Sequence, residues 1–225
     1  MLKIINVKGG KKEDVLSRKH NIFIGISLGN KWFTKEHLKE YIGWALKNTK
    51  EKVLIWIADK IHAINYEVKN NQSPENALKR ALKEGDRILI IIDEIINELL
   101  NERKKFINIA RKELLENFEY KKRREFFHKK FNQDKNFKKS VLDVVKNTIT
   151  LKLDELEIEK LASYVLDELP QILSSFSCNG IEYSCHPYPV NTKVSELVDK
   201  IQKKKIFPEI SNEIKFKNMV FVQLE

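Results

Sequence analysis

Apolar residues along the chain follow two spacings. Short runs dense in branched and aromatic side chains at 3–7, 22–26, 53–58, 106–110 and 219–222 read as buried strands, with a weaker one at 181–183. Between them apolar positions recur every three or four residues, which predicts helices over 34–48, 61–68, 73–103, 119–131, 135–148, 153–173 and 192–205. The third of these opens on Ser73-Pro74-Glu75: a capping serine, a first-turn proline and an acid against the positive end of the helix dipole. Alternation of this kind points to an α/β fold with a mostly parallel sheet flanked by helices. With 225 residues, 42% of them hydrophobic, and no repeat or low-complexity linker, residues 1–225 read as a single domain.

The run Ile22-Phe23-Ile24-Gly25-Ile26 stops at Ser27-Leu28-Gly29-Asn30, where a turn sends the chain towards a helix starting near Thr34. Ser27 therefore stands at the carboxyl end of a strand, the edge where open α/β sheets bind ligands. Taken alone, a serine there is better explained by turn formation.

Two later constellations carry polar chemistry. Tyr164 and Glu168 are four apart and share one helical face, where a phenol and a carboxylate can together hold an ammonium group. Pro170 follows, and it is expected to stop or kink the helix just beyond them. In Cys185-His186-Pro187-Tyr188-Pro189 two prolines brace one tyrosine in what reads as a rigid loop.

The net charge is +10, and its placement is uneven. Residues 101–140 hold fourteen Lys and Arg against six acids, with Lys121-Lys122-Arg123-Arg124 followed shortly by phenylalanines. Such a stretch suits phosphate contacts, and equally a solvated helix face. Two cysteines, Cys178 and Cys185, make neither a disulfide framework nor a zinc site, which implies a reducing, cytoplasmic setting. The N-terminus lacks the pattern of a signal peptide. Acids at Asp93, Glu94 and Glu98 break the most apolar stretch, so no membrane span is expected.

Taken in order, Gly25-Ile26-Ser27-Leu28-Gly29-Asn30 with Trp32-Phe33 and Trp44, then Tyr164-x-x-x-Glu168-x-Pro170, then Tyr188 twenty residues after Glu168, resemble the tRNA-dependent cyclodipeptide synthases. The resemblance spans roughly residues 22–198. It implies a Rossmann-like domain akin to the catalytic domain of class I tyrosyl- and tryptophanyl-tRNA synthetases. It also implies two aminoacyl-tRNAs as substrates, with no cofactor and no metal. Neither His-x-Gly-His nor Lys-Met-Ser-Lys-Ser is present, so ATP-dependent amino-acid activation is not expected.

By this resemblance Ser27 is the nucleophile that takes the first aminoacyl group. A second aminoacyl-tRNA yields a dipeptidyl-enzyme, which cyclises to a diketopiperazine. Glu168 and Tyr164 hold the α-ammonium, Tyr188 relays a proton, and Asn30 with backbone N–H groups near Gly29 supports the oxyanion. Gly25 leaves room beside the nucleophile, and His186 lines a substrate pocket. Lys79, Arg80, Lys83 and Arg87, together with Lys121, Lys122, Arg123 and Arg124, are the candidates for tRNA contact. The absence of a coiled-coil repeat suggests a monomer.

Several alternatives stay open. Tyr183 competes with Tyr188 as the second catalytic tyrosine. Asn30 and Pro189 match different branches of the family, which leaves the pair of amino acids undecided. Gly25-Ile26-Ser27-Leu28-Gly29 also fits the Gly-x-Ser-x-Gly of serine hydrolases, with His186 as the histidine, and a noncatalytic tRNA-binding module is the third reading.

Overall fold

The computed structural model describes residues 2–99, 101–190 and 192–225; the side chains of Asn101 and Glu102 are not described. Strands β1 (Ile4–Lys8), β2 (Ile22–Ile26), β3 (Val53–Ile57), β4 (Ile107–Ala110), β5 (Phe176–Cys178), β6 (Ile181–Tyr183), β7 (Cys185–Tyr188) and β8 (Val220–Leu224) alternate with eleven helices among the described residues. These are α1 (Lys12–Leu16), α2 (Lys35–Asn48), α3 (Asp59–Lys69), α4 (Pro74–Glu98), α5 (Asn101–Lys104), α6 (Lys112–Glu116), α7 (Phe118–Gln133), α8 (Lys135–Thr148), α9 (Glu155–Ile172), α10 (Lys193–Gln202) and α11 (Ile210–Glu213).

Six strands form one sheet in the order β1-β8-β7-β2-β3-β4. All neighbours are parallel except β1, which runs antiparallel to β8 at the edge. Strands β5 and β6 make a separate hairpin. The alternating register explains the burial. Ile22, Ile24 and Ile26 join Val53, Ile55 and Ile57 on one face under α2 and α4, while Phe23, Leu54 and Trp56 meet Phe176 and Tyr183 on the other. A third cluster lies within the layer of α7, α8, α9 and α10, around Phe127, Phe137, Leu161, Leu169 and Leu197.

Chain order reverses at β2: later strands β3 and β4 extend the sheet to one side, and β7 and β8 to the other. The carboxyl end of β2 is thus the topological switch point, where a crevice opens between diverging connections.

Two expectations need correction. Residues 185–189, read as a loop, contain the central strand β7. Helix 73–103 stops at Glu98 and a short α5 follows; Leu100, which the prediction included, lies outside the described residues. Helix α9 passes through Pro170 and ends at Ile172, close to the end predicted at 173. A proline in the last turn forfeits one N–H, and the end is closed instead by Leu173 N–H donating to the Leu169 carbonyl and by the Arg123 guanidinium donating to the carbonyls of Pro170 and Ser175.

The seat of α3 is set by charge. Asp59 at its first turn is 2% exposed and accepts Arg111 Nε at 2.7 Å, while Arg111 also binds Asp86 at 2.6 Å and the Leu82 carbonyl at 3.2 Å. Gly85 of α4 gives this cluster its space, because a Cβ there would lie 2.6 Å from Asp59 Oδ2 and 2.9 Å from an Arg111 nitrogen. In an open helix Gly→Ala gains about 1 kcal/mol. Here Gly85→Ala is expected to lose about 1–3 kcal/mol through overpacking, measured as a lower midpoint of urea unfolding.

Candidate active site

Ser27 is the first residue beyond β2, and Tyr188 is the last residue of the neighbouring β7. Ile22 pairs with Cys185, so Tyr188 stands level with Gly25 and its ring reaches over the end of β2. Tyr164 and Glu168 come from α9, one turn apart on the face turned to the same crevice.

The hydroxyls form a chain. Tyr164 Oη and Tyr188 Oη each lie 3.3 Å from Ser27 Oγ, Tyr164 Oη donates to Glu168 Oε1 at 2.7 Å, and Asn30 Nδ2 donates to Tyr188 Oη at 3.4 Å. One direction of donation satisfies every member: Asn30 to Tyr188, Tyr188 to Ser27, Ser27 to Tyr164, Tyr164 to Glu168. The two contacts at serine are long for O–H···O bonds.

The loop after Ser27 is held locally. Asn30 Oδ1 accepts Trp32 N–H at 3.0 Å, an Asx turn, and Gly29 sits at φ +75°, where a side chain would be strained. Trp32 and Phe33 pack against Tyr41, and Phe33 meets the Tyr188 ring edge-on at 6.0 Å. Seven residues lie between Ser27 and the start of α2, which Thr34 caps. That is unlike the sharp strand–helix elbow of serine hydrolases. Among the described residues no imidazole is hydrogen-bonded to Ser27.

His186 has another task. Its Nδ1–H donates to the Phe23 carbonyl at 2.9 Å, and its Cε1 occupies the space over Gly25, 3.3 Å from where a Cβ would stand. The room left by Gly25 thus goes to this ring. Burial holds both His186 and His62 at a pKa of about 4, so they are neutral near pH 7. Exclusion of water pushes Glu168 up to about 7, against the opposing hydrogen bond from Tyr164. The same exclusion, with the Glu168 charge adding to it, pushes Tyr164 well above the usual phenol range.

Two cavities meet at Ser27 and Tyr164. One, of about 190 Å³, is lined by Glu168, His186, Tyr188, Ile172 and Phe221. The other, of about 270 Å³, runs under α3 and is lined by Gly29, Asn30, His62, Asn65 and Lys69. The α3 residues belong to no motif in the sequence, although the spacing of 62, 65 and 69 places them on one helical face.

Tyr183 lies away from this site. It is fully buried in the cluster of Phe23, Phe176 and Trp56, and its hydroxyl accepts Asn108 Nδ2 at 3.1 Å. The basic candidates divide. Lys79, Lys83, Arg87, Lys121 and Lys122 are exposed or half-buried at the surface. Arg80 lies 4.2 Å over the Tyr66 ring and binds Glu84. Arg123 turns inward to backbone carbonyls, and Arg124 forks onto Asp167 at 2.7 and 3.3 Å.

The family model described as cyclodipeptide synthase matches residues 7–206. The chain belongs to the cyclodipeptide synthase family. No curated protein matches the sequence. A cyclodipeptide synthase from Bacillus thermoamylovorans shares the fold at TM-score 0.77 and 23% identity, over 95% of this chain and 91% of that one. A Mycobacterium tuberculosis protein of the cyclodipeptide synthetases, described as related to type I tRNA synthetases, aligns at TM-score 0.73 and 17% identity, over 97% and 91%. Tyrosyl-tRNA synthetase from Archaeoglobus fulgidus aligns at TM-score 0.56 and 9% identity, over 93% of this chain and 56% of its own. The synthase fold seen here is therefore the Rossmann-like one expected, and among the described residues no helix is long and apolar enough to cross a membrane.

The raised carboxyl of this family member has a thermodynamic signature. With a pKa of about 7 folded against 4.5 unfolded, Glu168 lowers stability progressively as pH rises from about 4.5 to 7, by up to about 3 kcal/mol above that. Glu168→Gln should therefore match the parent near pH 4.5 and melt higher than it at pH 8, while losing cyclic dipeptide formation. Paired thermal melts across this range check it.

Proposed function

We propose that the protein builds a cyclic dipeptide from two aminoacyl-tRNAs, through aminoacyl-Ser27 and dipeptidyl-Ser27 intermediates. The observation that carries this reading is the hydroxyl chain ending on Glu168, placed where two cavities meet at one serine. It supplies a nucleophile, a route for its proton and separate space for two side chains.

In the first step Ser27 Oγ attacks the ester carbonyl of one aminoacyl-tRNA. Its proton passes through Tyr164 towards Glu168, the C–O bond to the terminal ribose breaks, and the ribose oxygen leaves with a proton. A carboxyl with a pKa of about 7 is suited to both taking and returning that proton near neutrality. Glu168 and Tyr164 then face the α-amine of the bound residue. Once deprotonated, that amine attacks the second ester; a C–N bond forms and the second tRNA departs. In the last step the new terminal amine attacks the Ser27 ester, the C–Oγ bond breaks, and Ser27 regains a proton through the tyrosines. Tyr188, held by Asn30, steadies Oγ at each stage, so the enzyme is an aminoacyltransferase.

The surface lysines support the tRNA role. Lys79, Lys83 and Arg87 of α4, with Lys121 and Lys122 of α7, would bind phosphates, whereas Arg80, Arg123 and Arg124 brace the fold and contribute less.

Intact mass after exposure to mixed aminoacyl-tRNAs should show an aminoacyl adduct on the native protein and none on Ser27→Ala, with diketopiperazines released by the native protein alone. Simple-ester hydrolysis without any adduct would instead favour a hydrolase. Salt dependence of tRNA binding provides a second check. Lys121→Gln with Lys122→Gln should flatten the log–log slope by about 1 for each phosphate no longer neutralised, whereas Arg124→Gln should leave the slope nearly as it is and lower thermal stability.

A further inference from the structure

One face of α3 is unused by the chemistry above. His62, Asn65 and Lys69 stand three and four residues apart, in a single row along the helix, and all three line the larger cavity at Ser27. Much of the rest of that cavity is aliphatic, built from Val144, Val145, Ile149, Leu161 and Val165.

The row is short of partners. Asn65 is 8% exposed, and its amide makes no hydrogen bond among the described residues. His62, 9% exposed, leaves Nδ1 unpaired. No carboxylate of the described residues reaches the Lys69 ammonium, which loss of water holds below the ordinary lysine range. Folded proteins pair their buried polar groups, so Asn65 and His62, left over on a buried face, point to a missing partner, and the exposed Lys69 ammonium stands beside them. The neighbouring carboxylates are committed elsewhere: Glu84 to Arg80 and Tyr66, and Glu67 to Lys160. A guest that brought hydrogen-bond acceptors and a negative charge would satisfy Asn65 and Lys69 together.

We propose that this cavity receives the side chain of one of the two aminoacyl groups, and that this side chain ends in a carboxylate, or second best a carboxamide, read by Asn65 and Lys69. The inference rests on the synthase reading of Ser27. Asn65 supplies an N–H to the terminal oxygen, and Lys69 at the cavity mouth sets the preference for acid over amide. A site built around hydrogen bonds discriminates strongly against a guest that lacks them, because its own groups are then stranded.

The test supplies the purified protein with a complete set of aminoacyl-tRNAs and resolves the cyclic dipeptides by mass. Products should share one residue drawn from aspartate, glutamate, asparagine and glutamine. The near-isosteric Asn65→Leu should move the product ratio by at least about tenfold towards aliphatic residues at that position alone. Lys69→Met, at an exposed site, should move the acid-to-amide ratio by a similar factor. Products with two apolar residues throughout, or parental ratios in both variants, overturn the inference and leave the synthase reading intact. An equal loss of every product in Lys69→Met assigns that lysine to a tRNA phosphate and overturns its role as a side-chain reader. If the native protein yields neither a Ser27 adduct nor any cyclic dipeptide, the synthase reading itself fails and takes this inference with it.

Discussion

Everything at the site depends on how β7 is joined to β2. The strands pair through a single register point, Ile22 with Cys185, and the next donor in a parallel ladder would be the N–H of residue 187. That residue is proline, which has none. The Phe23 carbonyl accepts His186 Nδ1 instead, and the Pro187 carbonyl accepts the Tyr41 hydroxyl from α2. Side chains thus take over where the backbone ladder ends, and β7 stays seated while the strand ends are free to part. On its other edge β7 is fully paired with β8 from Cys185 to Tyr188, so the strand itself remains straight. The crevice holding Ser27 begins where the ladder stops.

Above that point the site is a balance between burial and hydrogen bonding. Removing water around Glu168 raises its pKa to about 7, and the phenol of Tyr164 beside it resists ionisation. The result is a group that exchanges protons near neutrality, coupled to a serine that no histidine of the described residues meets in a hydrogen bond. The helix that carries it is anchored from outside. Asp167, the residue just before it, is gripped by Arg124 and His128, and its backbone carbonyl by Tyr120. Part of the positive charge of α7 therefore serves to hold α9 in place.

Much of this can be read from the sequence, and the exceptions share a cause. Strands β2 and β3, the start of α2 near Thr34 and the helix cap at Ser73 are local features, set by branched residues and capping side chains, and they stand where expected. Ser27, Tyr164, Glu168 and Tyr188 are each visible in short motifs, and the fold brings them within hydrogen-bond reach. Strand β7 escapes the sequence pattern because two prolines argue against a central strand unless a neighbouring side chain can supply the missing bond, which only the three-dimensional pairing reveals. The inward turn of Arg123 likewise depends on α9 ending beside α7, a long-range fact. His62 and Asn65 give no signal of their own because their importance comes from which helix roofs the crevice, and sheet order decides that.

Gly25, His186 and Pro187 make one device: the proline removes a bond, the histidine replaces it, and the glycine provides room for the histidine ring. None of the three is useful without the others. Exchange of Gly25 or His186 alone is opposed, since a Cβ at 25 would stand a tight 3.3 Å from the imidazole and removal of the imidazole strands the Phe23 carbonyl. Their effects should be strongly non-additive. Recasting the floor of this crevice therefore calls for positions 25, 186 and 187 to be changed with one another in view.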